Sequence, residues 1–172
     1  MEETILNSFR GVFLTGFLVC LSMLLVAGYF QFIEHLDPCP LCIVQRLLVL
    51  VVGIVFLLGA MHNPISGGRR VYGFLVVLAA GLGAAIAGRH VWLQSVPEEQ
   101  VPSCGPGLNF ILDNFPISQA IDMVLRGSGE CADVLWTFLG LSIPAWTLVA
   151  FVVMILVGLK QLFGRHKQPD FI

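Results

Sequence analysis

Cys39-Pro40-Leu41-Cys42 is the stretch whose residue types and spacing most readily do chemistry. A Cys-x-x-Cys pair closes so small a loop that bonding its sulfurs removes little chain entropy, which makes it a poor staple. The same spacing is common in redox-active dithiols, where one sulfur is held as the reactive thiolate. Pro38 and Pro40 break the chain just ahead of an apolar run. A helix opening at about Cys42 therefore aims its unpaired N–H groups and positive dipole end at that sulfur. Arg46 follows at i+4, on the same helical face and one turn further in. Zinc is the competing chemistry, but the motif occurs once, so no metal is expected.

The elements that must position these residues are membrane helices. The chain has 172 residues, 57% hydrophobic and 12% charged, which excludes a disordered chain and argues against an ordinary soluble globule. A net charge of −2 offers no basic footprint for nucleic acid. About 20 mainly apolar residues are needed to cross a bilayer, and four runs qualify: 12–33, 43–61, 71–93 and 143–163. The runs are continuous rather than alternating, so the expected fold is an all-α four-transmembrane-helix bundle forming one membrane domain over 1–172. Glu2 and Glu3 spoil the basic start of a cleaved signal peptide, and the first run is too long for one, so it is read as a retained helix.

Lysine and arginine set the orientation. Arg10, Arg69, Arg70, Lys160, Arg165 and Lys167 fall on one side, which makes both termini cytoplasmic. The connections 34–42 and 94–142 face out, and there Arg126 stands among Glu34, Asp37, Glu98, Glu99, Asp113, Asp122, Glu130 and Asp133. Ala79 to Gly88 is a small-residue stretch that suits close helix packing. Trp92, Trp136 and Trp146 fall near outer helix ends, where they act as interfacial anchors. Ile117, Ile121, Val124 and Leu125 share a face of a short helix in the long loop, lying in the interface or capping the bundle.

Of five cysteines, Cys20 lies mid-span as inert packing, whereas Cys39, Cys42, Cys104 and Cys131 all face outward. Four outward thiols in an oxidising compartment argue for disulfides, either two structural staples or a redox relay. Arg46 beside Cys42 favours the relay, because arginine within a membrane is costly and usually functional. Arg89 and His90 approach the same depth from the third span, Arg89 also being suited to anchoring at lipid phosphates. A thiol site set into the bilayer suits a lipid-soluble two-electron acceptor, and a quinone fits that description.

Cys39-Pro40-Leu41-Cys42-Ile43-Val44-Gln45-Arg46 resembles the signature of the DsbB family, inner-membrane thiol–quinone oxidoreductases of the bacterial disulfide-forming pathway. The likeness extends through Gly129-Glu130-Cys131-Ala132-Asp133 and Trp136 to Trp146, and covers about residues 10–163. It implies a bacterial inner-membrane enzyme that reoxidises a periplasmic DsbA-like dithiol protein and passes electrons to ubiquinone or menaquinone. By that likeness Cys104 forms the mixed disulfide with the partner, and the released Cys131 attacks Cys39. Cys42 then passes electrons to quinone through a charge-transfer or covalent adduct, with Arg46 stabilising the negative charge and His90 close to the quinone. Gln45 stands where many members carry Glu, which removes one possible partner of Arg46. Two rival readings are a vitamin K epoxide reductase-like enzyme and a non-catalytic four-span scaffold with a disulfide-stapled outer loop. Chain order speaks against the first, and Arg46 is left unexplained by the second.

Overall fold

A computed structural model describes residues 8–36, 38–96, 116, 119, 131–132 and 136–164. Four long apolar helices, each able to span a membrane, make up the fold: α1 (Phe9–Phe32), α2 (Pro40–His62), α3 (Ser66–Ser95) and α4 (Ile143–Phe163). A two-stranded antiparallel hairpin, β1 (Thr137–Phe138) and β2 (Leu141–Ser142), leads directly into α4. Of the stretch expected to form an interfacial helix, Pro116 and Gln119 alone are described; its apolar face (Ile117, Ile121, Val124, Leu125) and Cys104 lie outside the described residues.

Local chemistry sets the helix ends. The Ser8 hydroxyl caps α1 by accepting from the Gly11 N–H at 3.0 Å. α2 begins with Pro40, whose missing N–H and fixed φ suit the first helical position. It closes on Asn63 in the left-handed region (φ 40°), with the Asn63 N–H returning to the Gly59 carbonyl. α2 thus starts ahead of Cys42, where the apolar count alone had put the opening, because proline at the first position and a cap at residue 39 extend it outward. α3 likewise runs past its expected bounds. Ser66 to Arg70 are too polar for an apolar count but continue the helix, giving 30 residues. At about 1.5 Å per residue that length exceeds the roughly 30 Å of hydrocarbon, so the helix projects beyond it.

The core is narrow, as a bilayer permits. Phe13, Phe56 and Phe151 are fully buried along the bundle axis, and the rings of Phe13 and Phe56 meet edge to face at 5.1 Å. Leucines and valines such as Leu25, Val26, Leu47 and Leu82 point outward, as lipid-facing side chains do. The small-residue face of α3 packs against α4 as expected. A Cβ at Gly83 would enter the ring of Phe151, and one at Gly73 would stand 2.8 Å from the Gly158 carbonyl oxygen. Helices adjacent in sequence pack side by side, whereas α1 and α4 hardly meet among the described residues. The space between those two helices is where the site forms.

Candidate functional site

Cys39 is the N-cap of α2. Its backbone is extended and its Sγ accepts from the Cys42 N–H at 3.4 Å, so the first cysteine satisfies one of the helix's unpaired donors. Both sulfurs therefore sit at the positive end of the helix, Cys39 buried and Cys42 half-buried. From α3, His90 reaches between them: its Nε2 lies 3.8 Å from Cys39 Sγ and its Nδ1 4.0 Å from Cys42 Sγ. The histidine that meets the pair is not the sequence neighbour His35 but His90, which the fold brings from another helix. One ligand atom from each of Cys39, Cys42 and His90 falls within 4.8 Å of the other two.

His90 is itself held. Gln45, 4% exposed, sets its Nε2 at 3.0 Å from His90 Nδ1, and His90 is 2% exposed. With the amide donating to Nδ1, the ring proton resides on the other nitrogen and points toward the Cys39 sulfur. Gln45 thus partners the histidine, and a different glutamine steadies Arg46. A guanidinium N–H of Arg46 donates to the Gln31 side-chain oxygen of α1. Arg46, one turn below Cys42, remains in the site rather than pointing into lipid.

These groups surround a cavity of about 510 Å³ between α1 and α4, within the size range of small-molecule sites. Met23, Ala27 and Phe30 of α1, and Ile143, Trp146 and Ala150 of α4, form much of its apolar wall. Cys39, Cys42, Gln45, Arg46 and His90 supply polar groups to its wall, as do Ser22 and Thr147, and Gln94 and Ser142 add a hydrogen-bonded pair at 2.6 Å. Arg46 carries the single formal charge among the described lining residues.

Cys131 comes from the long loop, fully buried in a small cluster with Cys39, Leu41 and Leu93, against which Cys42 packs. Three of the four expected redox cysteines thus meet at one end of the bundle. Cys20 lies elsewhere, buried in the helix core. Arg89 is not among the cavity-lining residues, and its guanidinium lies 4.4 Å above the Trp92 ring in a cation–π contact. Two of the tryptophans expected as anchors do more, since Trp136 and Trp146 also line the cavity. The Trp146 indole donates to the Phe138 carbonyl at 3.0 Å, which ties the hairpin to α4. Gln31 was missed because it carries no charge, although a polar side chain near the end of an otherwise apolar run is a usable signal.

The family model for disulfide bond formation protein DsbB matches residues 9–161. A disulfide bond formation protein B of Nitrosococcus oceani is 58% identical over 158 residues, 92% of this chain and 93% of that protein. Those of Methylococcus capsulatus and Saccharophagus degradans are 53% and 48% identical over 162 and 161 residues; each alignment spans 94% of this chain, and 99% and 97% of the respective relatives.

Proposed function

The chain belongs to the DsbB family, a family of multi-pass membrane proteins of disulfide bond formation, and from that premise we propose that it is a thiol–quinone oxidoreductase of the bacterial inner membrane. It takes two electrons from a periplasmic DsbA-like dithiol protein and delivers them to ubiquinone or menaquinone. Both termini lie in the cytoplasm, and the connections carrying Cys39, Cys42, Cys104 and Cys131 lie in the periplasm. One observation carries the reading. The buried Cys39 is packed with Cys131 of the long loop, and it opens together with the less buried Cys42 and Arg46 onto an apolar cavity between two helices that hardly touch.

The cavity suits the acceptor. A quinone has an apolar body and two carbonyl oxygens; the walls are largely apolar, with hydrogen-bonding side chains such as Arg46, His90 and Gln45 among them. The gap between α1 and α4 gives an isoprenoid tail a route to lipid. When bound, quinone supplies a two-electron, two-proton sink. The residues of the chain do the rest. Cys104 accepts the partner's thiolate, Cys131 is released, and Cys131 attacks Cys39, each exchange being a thiolate displacing one sulfur of a disulfide. Cys42 is then left as the leaving thiolate beside the cavity. The partner's second thiolate displaces Cys104, the Cys104 thiolate re-forms its bond to Cys131 and so releases Cys39, and Cys39 rejoins Cys42 as two electrons pass to the acceptor. Arg46 favours negative charge there by Coulomb attraction, which is stronger where water is scarce. His90, held by Gln45, keeps its Nε2 3.8 Å from the Cys39 sulfur, where that nitrogen can give or take a proton. The partner loses two electrons and two protons in forming its disulfide, and these reduce quinone to hydroquinone, so the cycle closes with no other reactant.

The test is turnover of the purified protein with a reduced DsbA-like partner and ubiquinone. Quinone consumption should match partner disulfide formed, and substituting serine for Cys39, Cys42, Cys104 or Cys131 should abolish it. A visible thiolate–quinone absorbance band that disappears in Cys42→Ser would assign the sulfur facing the acceptor. Unchanged turnover in the serine variants would reduce the molecule to a stapled four-span scaffold.

A further inference from the structure

The histidine that the fold brings to Cys39 and Cys42 completes a donor set that disulfide exchange does not require. We propose that, when both thiols are reduced, Cys39, Cys42 and His90 bind a thiophilic divalent cation, Zn²⁺ foremost, with a fourth coordination position open to the cavity. Binding rests on geometry alone; its consequence, that the metal holds the dithiol out of turnover, rests on the function proposed above.

Three observations carry it. The first is distance. Tetrahedral zinc with Zn–S near 2.3 Å and Zn–N near 2.0–2.1 Å separates sulfur from nitrogen by about 3.6 Å. His90 Nε2 already lies 3.8 Å from Cys39 Sγ, and one ligand atom from each of the three residues lies within 4.8 Å of the others. Shifts of a few tenths of an ångström to about 1 Å would close the site.

The second is charge. Two thiolates cancel the charge of the cation, so the complex is neutral in a place where water is scarce and an unpaired charge is costly. Arg46, the one formal charge among the described lining residues, opposes a bare cation but not a neutral complex. The two thiol protons leave as the Zn–S bonds form, so affinity falls as pH is lowered.

The third is support behind the ligand. A metal-bound histidine usually has its other nitrogen hydrogen-bonded, and Gln45 stands 3.0 Å from His90 Nδ1. Turned over, the same amide offers its oxygen to an Nδ1–H and leaves Nε2 for the metal. A glutamine serves either tautomer. No fourth cysteine, histidine or carboxylate joins the set among the described residues, so the site is open and reversible rather than structural. Once Cys39 and Cys42 are joined in a disulfide, neither thiolate remains. The cation therefore senses the redox state of the pair.

The experiment uses the full chain in detergent, with Cys20, Cys104 and Cys131 changed to serine so that only the pair remains. Titrating the anaerobically reduced protein with Co²⁺ should give thiolate-to-cobalt charge-transfer absorption and the visible bands of a four-coordinate ion, displaced by one equivalent of Zn²⁺. The oxidised protein should give neither. His90→Ala should abolish the four-coordinate spectrum, and Gln45→Ala should weaken zinc about 10–100-fold. Circular dichroism confirms that each variant is folded. His90→Gln, a smaller change, should likewise lose the spectrum. Absent charge-transfer absorption, equal binding by the oxidised chain, or binding indifferent to both His90 variants would overturn the site. In the unsubstituted protein, Zn²⁺ should slow turnover about tenfold or more, with a chelator restoring it. Metal-free turnover that zinc leaves untouched would overturn the inhibitory role. Absent turnover without metal would instead count against the proposed function, with the cobalt result standing by itself.

Discussion

Gln31→Leu isolates what holds Arg46 in place. The substitution keeps the size of the side chain, suits an apolar helix and removes one acceptor, the oxygen that receives an Arg46 N–H. A hydrogen bond to a charged group contributes about 1.5–3 kcal/mol. Arg46 is half-buried, so water replaces part of that and the low end applies. Each 1.36 kcal/mol is about a factor of ten in rate, so quinone reduction should slow about tenfold if the guanidinium must face the cavity in the transition state. Stopped-flow quinone absorbance reads that step, and quenched alkylation of the partner's thiols reads the earlier exchange, which should be unchanged. A double-mutant cycle makes the claim strict: in an Arg46→Ala background, Gln31→Leu should have almost no further effect. If the two losses simply multiplied, Gln31 would be acting through helix packing and the positioning argument would fall.

Arg46→Ala should slow quinone reduction more than Gln31→Leu does while leaving exchange through Cys104 largely intact; equal loss of both steps, with a lowered Tm, would signal a folding defect instead. Cys20→Ser should retain turnover, since that sulfur is buried against Gly53 in the helix core and apart from the site, and a dead variant would mean a fifth working thiol. Gly83→Ala and Gly81→Ala form a matched pair read by Tm in detergent. At Gly83 the added methyl meets the Phe151 ring and should cost about 1–3 kcal/mol, partly offset by helix propensity. At Gly81 nothing lies within 4 Å, and the change should be neutral or stabilising by about 0.5–1 kcal/mol. A reversed order would refute the α3–α4 packing.

What could be read along the chain and what could not divides by the range of the interaction. The four helices follow from uninterrupted apolar runs, the α3 packing face from small residues, and the Cys42–Arg46 relation from i+4 spacing, all local signals. Helix starts were less legible, because an apolar count cannot register a cysteine cap or a proline at the first position. Arg89 and His90 show the same limit on a finer scale. Neighbours on a helix point about 100° apart, so one of the two faces the thiols and the other does not. Which one does so depends on how α3 is rotated against α2, and no local pattern encodes that. Gln31 and the cavity walls depend on helix pairs distant in sequence.

The spacing of the two cysteines connects these levels. Residue 39 stands just outside the helix as its cap, and residue 42 lies one turn inside it, so the two sulfurs are neighbours with different surroundings. The cap sulfur is buried with Cys131, which a loop must deliver; the inner sulfur packs at the edge of that cluster and is the less buried of the two in the cavity they share with Arg46. That difference supports a direction of flow. Exchange with a loop thiol needs contact on the protein side, whereas reduction of a lipid-borne acceptor needs contact on the membrane side. The x-x spacing across a helix start is what allows one dithiol to face two phases.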